Sequence, residues 1–152
     1  MCPKEQEQRN MPKGHNLLTQ LSLNADIHGL KILKYYCHEI AEMQLRNEDR
    51  IFEYILCMDE IFINCITHGY GNKGGVVNVQ FTLDEKYLLT SIQDFGVGIS
   101  TDYLKEIPDM PPDPLCEYGR GLFLVNHLSN RLEIQKTKEG GTLVYVYFER
   151  MC

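Results

Sequence analysis

The stretch that decides the fold is residues 59–72, which read DEIFINCITHGYGN. It ends an apolar run, 51–66, which predicts a helix that is buried on most faces. Within this run Glu60 and Asn64 stand four positions apart. Residues four apart in a helix lie on the same face. Buried without partners, a carboxylate and an amide would cost roughly 1–3 kcal/mol each, so the pair indicates a polar site. A satisfied polar pair at a helix surface is the alternative interpretation.

Oxygen atoms of this kind suit a hard cation such as magnesium, which keeps several waters and takes phosphate oxygens. Asn64 is accordingly predicted to ligate magnesium through its carbonyl oxygen. Glu60, one turn earlier, is predicted to accept the proton of a hydroxyl or water that arrives at a phosphate. His68 extends the polar face by one more turn and is counted among the cofactor contacts, although hydrogen bonding at a helix end is its ordinary role.

A second segment, DFGVGI at residues 94–99, follows an apolar strand. Glycine lets a flat ligand approach the backbone closely, which favours Gly96 and Gly98 as walls of a pocket. Asp94 at the strand end is a carboxylate that accepts the exocyclic amine of adenine in this interpretation. A plain strand-ending turn is the alternative. The tripeptide 94–96 also matches one of the protein kinases, but their HRD loop is absent from the sequence.

A third segment, GRGLFLV at residues 119–125, begins a predicted helix. The free N–H groups and the positive dipole end of a helix N-terminus bind anions. Gly119 and Gly121 keep the approach open, and Arg120 adds positive charge. The pattern predicts a phosphate site, with a simple helix start as the alternative.

The chain of 152 residues suits one domain. Residues 1–13 are polar and predict a flexible tail, which leaves 14–152 as the domain. Asn24 or Asp26 is predicted to cap the first helix and Asn47 the second. Apolar periodicity predicts an α+β fold, a mixed, mostly antiparallel sheet with helices on one face. The predicted strands are 15–24, 76–83, 87–93, 131–137 and 142–149, and the predicted helices are 27–44, 48–68, 101–107 and 119–128, with a proline-rich segment at 108–114.

Composition excludes several classes of protein. The net charge of -6 and the pI near 5.3 speak against nucleic acid as the main partner, because nucleic-acid binders carry a basic face. No apolar run reaches the ~18–20 residues of a membrane span, and the N-terminus lacks a signal-peptide core. We therefore expect a cytoplasmic protein. Cys57 and Cys65 lie in an apolar stretch outside any CxxC pair, which predicts buried free thiols.

Together, the segments DEIFINCITHGYGN, DFGVGI and GRGLFLV resemble, in this order, the N, G1 and G2 boxes of the GHKL ATPase superfamily. Within it, EIFIN followed by His-Gly-Tyr at 68–70 most resembles the anti-sigma factor serine/threonine kinases of bacteria. The resemblance covers residues from about 15 to 149. It implies the Bergerat fold, a two-layer α/β sandwich, with ATP and Mg2+ as cofactors.

The resemblance implies a role for each matching residue. Glu60 is implied as the general base and Asn64 as the magnesium ligand. Asp94 is implied as the acceptor of the adenine amine, with Thr142 helping. The remaining implied contacts are Gly96 and Gly98 at the adenine, Gly119 and Gly121 at the phosphates, and the proline-rich segment as the ATP lid.

The resemblance further implies a regulator that phosphorylates an anti-sigma-factor antagonist on serine or threonine, sequesters a sigma factor, and forms a homodimer. Two alternatives stay open. One is a nucleotide-binding interaction module with little phosphotransfer, favoured by Glu117, which stands where some relatives carry an arginine. The other is the ATPase domain of a two-component-type histidine kinase, which shares the three boxes.

Overall fold

The computed structural model describes residue 14 and residues 16–98 and 120–150. Its strands and helices follow one another in the predicted order, so the α+β fold class is confirmed. The predicted tail 1–13, the predicted helix 101–107 and the proline-rich segment 108–114 lie outside the described residues. The described elements are β1 (Asn16–Asn24), α1 (Ile27–Gln44), α2 (Glu48–Asn64), β2 (Val76–Leu83), β3 (Tyr87–Asp94), α3 (Arg120–Leu128), β4 (Arg131–Lys136) and β5 (Thr142–Glu149).

The five strands form one sheet in the order β1-β2-β3-β5-β4. Every described pairing is antiparallel. The sequence predicted a mixed, mostly antiparallel sheet, so the described sheet is more uniform than predicted. β5 lies between β3 and β4, so the chain leaves the sheet after β3, passes through α3 and returns first at the edge strand β4. α3 packs against α2 and contacts the edge strand β4.

One face of the sheet supplies the core. Alternate side chains of β2 and β5, among them Phe81 and Phe148, are wholly buried in one cluster with residues of α1 and α2. Tyr54 of α2 packs edge-on against Phe148, with ring centroids 5.2 Å apart. Its hydroxyl forms a 2.6 Å hydrogen bond with the buried Thr90 Oγ1 of β3. Both interactions fix the position of α2 on the sheet.

Caps set the starts of α1 and α2. The Asp26 carboxylate accepts a 2.9 Å hydrogen bond from the Gly29 N–H, so Asp26 is the cap of α1 rather than Asn24. The Asn47 side chain accepts a 3.1 Å hydrogen bond from the Arg50 N–H, as predicted. Each cap satisfies an N–H that has no partner inside its helix.

The predictions for the second helix need two corrections. The α-helix ends at Asn64 rather than His68, and the residues Cys65–Gly69 form a π-helical turn. The helix is also less buried than its apolar composition predicts, since Phe52 is 67% exposed and Ile63 is 40% exposed. Only one face of α2 meets the core, because the sheet lies on one side of it.

Cys37, Cys57 and Cys65 are buried free thiols, which confirms the interpretation of the last two. Among the helices that the structure describes, none combines the length and apolarity that a bilayer crossing needs.

Replacing Tyr54 with phenylalanine tests the central polar contact of the core. We expect Tyr54→Phe to lower the free energy of unfolding by about 1–3 kcal/mol, because it leaves the buried Thr90 hydroxyl without this partner. Urea denaturation provides the measurement. The control is Tyr35→Phe, since Tyr35 is 65% exposed and its change is expected within about 0.5 kcal/mol. Equal effects of the two substitutions would contradict the assignment.

Candidate functional site

The C-terminal half of α2 and the start of α3 meet at one place. Glu60 and Asn64 are half-buried there. A Cβ atom built on Gly121 would lie 2.7 Å from Glu60 Oε2 and 3.6 Å from Asn64 Nδ2. A side chain at position 121 would therefore displace the Glu60 carboxylate. The structure thus brings Glu60 and Asn64 of the segment 59–72 together with Gly121 of the segment 119–125.

The start of α3 faces this pair with its N-terminus. Arg120, exposed, is the first residue of the helix, and Gly121 follows. The first N–H groups of a helix lack partners inside it, and they carry the positive end of its dipole. Gly119 lies outside the described residues. The arrangement places potential anion donors next to a carboxylate and an amide.

The Glu60 carboxyl has an altered acidity. Burial raises its pKa above the ordinary value, and the negative charge of the neighbouring Asp59 raises it further. A carboxylate whose pKa is shifted towards neutral accepts a proton more readily. Its chemistry suits a general base.

Asp94 ends β3 and is 4% exposed. Its Oδ1 accepts a 3.0 Å hydrogen bond from the Gly96 N–H. Burial raises the pKa of this carboxyl, while hydrogen bonds from the Gly96 and Thr142 N–H groups and from the Cys65 thiol lower it. These three donors come from the loop after β3, from β5 and from the π-helical turn, so the carboxylate joins three parts of the chain.

Close backbone contacts surround this carboxylate. A Cβ atom on Gly96 would lie 1.8 Å from the Gly69 carbonyl oxygen, and one on Gly141 would lie 1.9 Å from the Asp94 carbonyl oxygen. No side chain fits at either position unless the backbone moves. Gly98, with φ +76°, lies against the hairpin between β4 and β5. Residues 94–98 are therefore held between the π-helical turn and that hairpin.

The π-helical turn connects the two halves of the site. Within it the Tyr70 N–H donates to the Cys65 carbonyl oxygen at 3.0 Å. The Gly69 carbonyl oxygen accepts a 3.0 Å hydrogen bond from the Val97 N–H, which ties the turn to the loop after β3. His68 lies in this turn and is half-buried. Asn64 is the last residue of α2, and the next residue, Cys65, hydrogen-bonds Asp94. One peptide bond therefore connects the part of the site around Asn64 to the part around Asp94.

Two members of the site were not predicted from the sequence. Cys65 was recognised only as a buried thiol, yet it hydrogen-bonds Asp94. The Tyr70 hydroxyl accepts a 2.8 Å hydrogen bond from the Phe95 N–H and donates one of 2.5 Å to the Val76 carbonyl oxygen. The only local signal is that Tyr70 directly follows the His-Gly pair of the motif.

Known proteins resemble this chain in sequence. It is 26% identical over 98 residues to a protein named anti-sigma F factor from Clostridium acetobutylicum, and the match covers 63% of this chain and 68% of that protein. It is 29% identical over 100 residues to the anti-sigma F factor of Bacillus licheniformis, with 64% and 68% covered.

Solved structures share the fold. One chain of the SiaB–SiaC complex from Pseudomonas aeruginosa superposes with a TM-score of 0.68 at 12% identity, covering 95% of this chain and 94% of that one. The RsbU and RsbW domains of a Mycobacterium tuberculosis protein match with a TM-score of 0.59 at 19% identity. That match covers 88% of this chain, which spans about a third (33%) of the larger protein.

The family model described as the histidine kinase-like ATPase domain matches residues 24–148. This range starts at the end of β1 and reaches the last residues of β5, so it contains every part of the site described above. The protein therefore belongs to the histidine kinase-like ATPase domain family.

Proposed function

We propose that this protein is an anti-sigma regulator that binds ATP with magnesium and phosphorylates a serine or threonine of an antagonist protein. The observation that carries the proposal is that Gly121 lies against Glu60 and Asn64. Asn64 is followed directly by Cys65, which belongs to the group around Asp94. A carboxylate with a raised pKa is thereby combined with a helix N-terminus and a buried acceptor.

The surroundings of Asp94 fit an adenine. An ionised carboxylate has about four lone-pair positions. Among the described residues, Gly96, Thr142 and Cys65 donate to Asp94, and we propose the exocyclic amine of the base as a further donor. Thr142 and Gly98 lie at the same edge, where the loop after β3 meets the hairpin. Glycine backbone there lets a flat ring approach without side chains in the way.

The other end of the site fits phosphates and a magnesium ion. Magnesium takes few protein ligands and fills its coordination shell with waters and phosphate oxygens. One amide oxygen at Asn64 suffices for such an ion, and the described residues contain no group of three or more His, Cys, Asp or Glu side chains that would hold a metal by themselves. Gly121 and Arg120 at the start of α3 provide N–H donors and positive charge, and Gly119 is proposed to join them.

The proposed reaction needs one base. The hydroxyl oxygen of the substrate attacks the γ-phosphorus, its proton passes to the Glu60 carboxylate, and the bond to the departing ADP oxygen breaks. Magnesium, when bound, neutralises charge on the phosphate oxygens. The raised pKa of Glu60 helps this proton transfer, because burial and the Asp59 charge make its protonated form less costly.

The similar proteins support the proposed partners. The similar proteins named anti-sigma F factor and the fold shared with a chain of the SiaB–SiaC complex support a protein partner. We propose an anti-sigma-factor antagonist as the substrate, a sigma factor as the sequestered partner, a homodimer as the assembly and the cytoplasm as the location.

Asn64→Ala tests the metal assignment. We expect the affinity for ATP with magnesium to fall at least about tenfold, because the ion loses its protein ligand, while ATP binding in EDTA changes little. Titration calorimetry provides both values. Asn78→Ala on β2 is the control. Undiminished affinity with magnesium would remove Asn64 from the site.

Glu60→Gln tests the base. We expect ATP affinity within about threefold of the wild type and phosphotransfer reduced by about 10²–10⁴-fold. Transfer of labelled phosphate from ATP to candidate antagonist proteins measures the rate, and Glu39→Gln on the exposed side of α1 is the control. Unchanged transfer would refute the assignment. If the wild type binds ATP and a partner without any transfer, the protein is an interaction module.

The same variant gives a prediction for stability. Because the folded-state pKa of Glu60 is raised above 4.5, the native protein keeps this proton where the unfolded chain has released it. The wild-type free energy of unfolding therefore falls as the pH rises through this window, and glutamine lacks the effect. We expect the stability of E60Q relative to the wild type to increase as the pH rises above 4.5. Urea unfolding over a pH series measures it, and a difference independent of pH would contradict the burial of Glu60.

A further inference from the structure

Arg50 connects α2 to the far end of α3. Its Nη1 donates to the Leu128 carbonyl oxygen at 2.8 Å and to Glu53 Oε2 at 2.6 Å. Its Nη2 donates to Asn130 Oδ1 at 2.7 Å. The guanidinium also lies 4.5 Å from the centre of the Phe148 ring. Leu128 is the last residue of α3, so the Arg50 side chain binds that helix at its C-terminal end.

The chemistry of arginine explains why this contact is firm. A guanidinium is planar and holds several donors in a fixed fork, so it can bind acceptors from different segments at once. Here those acceptors belong to α2, to the end of α3 and to the turn before β4. A positive charge at a helix C-terminus also complements the helix dipole. The side chain is 28% exposed, which limits screening by solvent.

Both ends of α3 are thereby held by α2. Gly121 at the start lies against Glu60 and Asn64, and Leu128 at the end lies against Arg50. The ten-residue step from Arg50 to Glu60 spans about 15 Å of helix, and the step along α3 spans about 10 Å. The two helices therefore run side by side in opposite directions. Since a helix is stiff along its axis, a displacement of its last turn is transmitted to its first residues.

We propose that Arg50 is a positioning residue for the nucleotide phosphates, which anchors the C-terminal end of α3 so that Gly121 stays against Glu60 and Asn64. This inference rests on the proposed function. Its effect is confined to one end of the site, because the contacts that the structure gives Arg50 are with residues other than the donors around Asp94. Loss of the anchor weakens binding of the phosphates and leaves binding of the base intact.

The test compares nucleotides of different length. We expect Arg50→Gln and Arg50→Lys to weaken binding of ATP with magnesium on the order of tenfold, while adenosine binding stays within about twofold. Calorimetry measures ATP, and NMR titration measures adenosine. Arg131→Gln is the matched control, since Arg131 also pairs with a glutamate and lies 5.1 Å from the ring centre of Tyr147. We expect this variant to keep both affinities.

The ratio of ATP to adenosine affinity separates positioning from general destabilisation. A purely structural Arg50 weakens both ligands alike, and that result overturns the inference. Arg50→Lys keeps the charge but loses the fork, so it serves if Arg50→Gln fails to fold. If the wild type binds ATP and Arg50→Lys keeps the wild-type ratio of ATP to adenosine affinity, the role of Arg50 is refuted and the proposed function stands. If the wild type binds no ATP at all, the proposed function falls with it.

Discussion

The constraint on which the rest of this structure depends is the burial of the Asp94 carboxylate at the end of β3. A buried carboxylate is costly unless donors replace the lost water. Those donors are a loop N–H at Gly96, a strand N–H at Thr142 and a thiol at Cys65. Because they belong to three segments, the loop after β3, β5 and the π-helical turn must converge on one point. The site edge of the fold is built around that requirement.

α2 is the common frame of the site. The Tyr54 contacts with Thr90 and Phe148 fix the middle of this helix on the sheet. Its C-terminal part carries Glu60 and Asn64, so these two inherit a fixed position relative to β3. Its exposed face, which includes Phe52, does not take part in the core. The same helix that contributes to the stability of the fold thus positions the chemical groups.

The change from α-helix to π-helix after Asn64 has a structural consequence. A π-helical turn is wider, with one more residue per hydrogen-bonded ring, and such turns occur often at functional sites. Here the turn begins at Cys65, whose thiol donates to Asp94, and it ends at Gly69, whose carbonyl oxygen accepts a hydrogen bond from the Val97 N–H. Tyr70 then closes the arrangement through its bonds to the backbone of residues 76 and 95.

The sequence by itself determined the order of the described strands and helices, the cap at Asn47 and the segments that contain the candidate site, because caps and apolar periodicity act between residues a few positions apart. It also identified Glu60, Asn64 and Asp94 as candidates for the proposed nucleotide site. Only the tertiary structure decided the end of α2 at Asn64, the exposure of Phe52, and the contact between Cys65 and Asp94. It also decided the Arg50–Leu128 contact, which joins residues 78 positions apart. Such pairs form only when the sheet brings distant segments together, and no local preference of the chain records them.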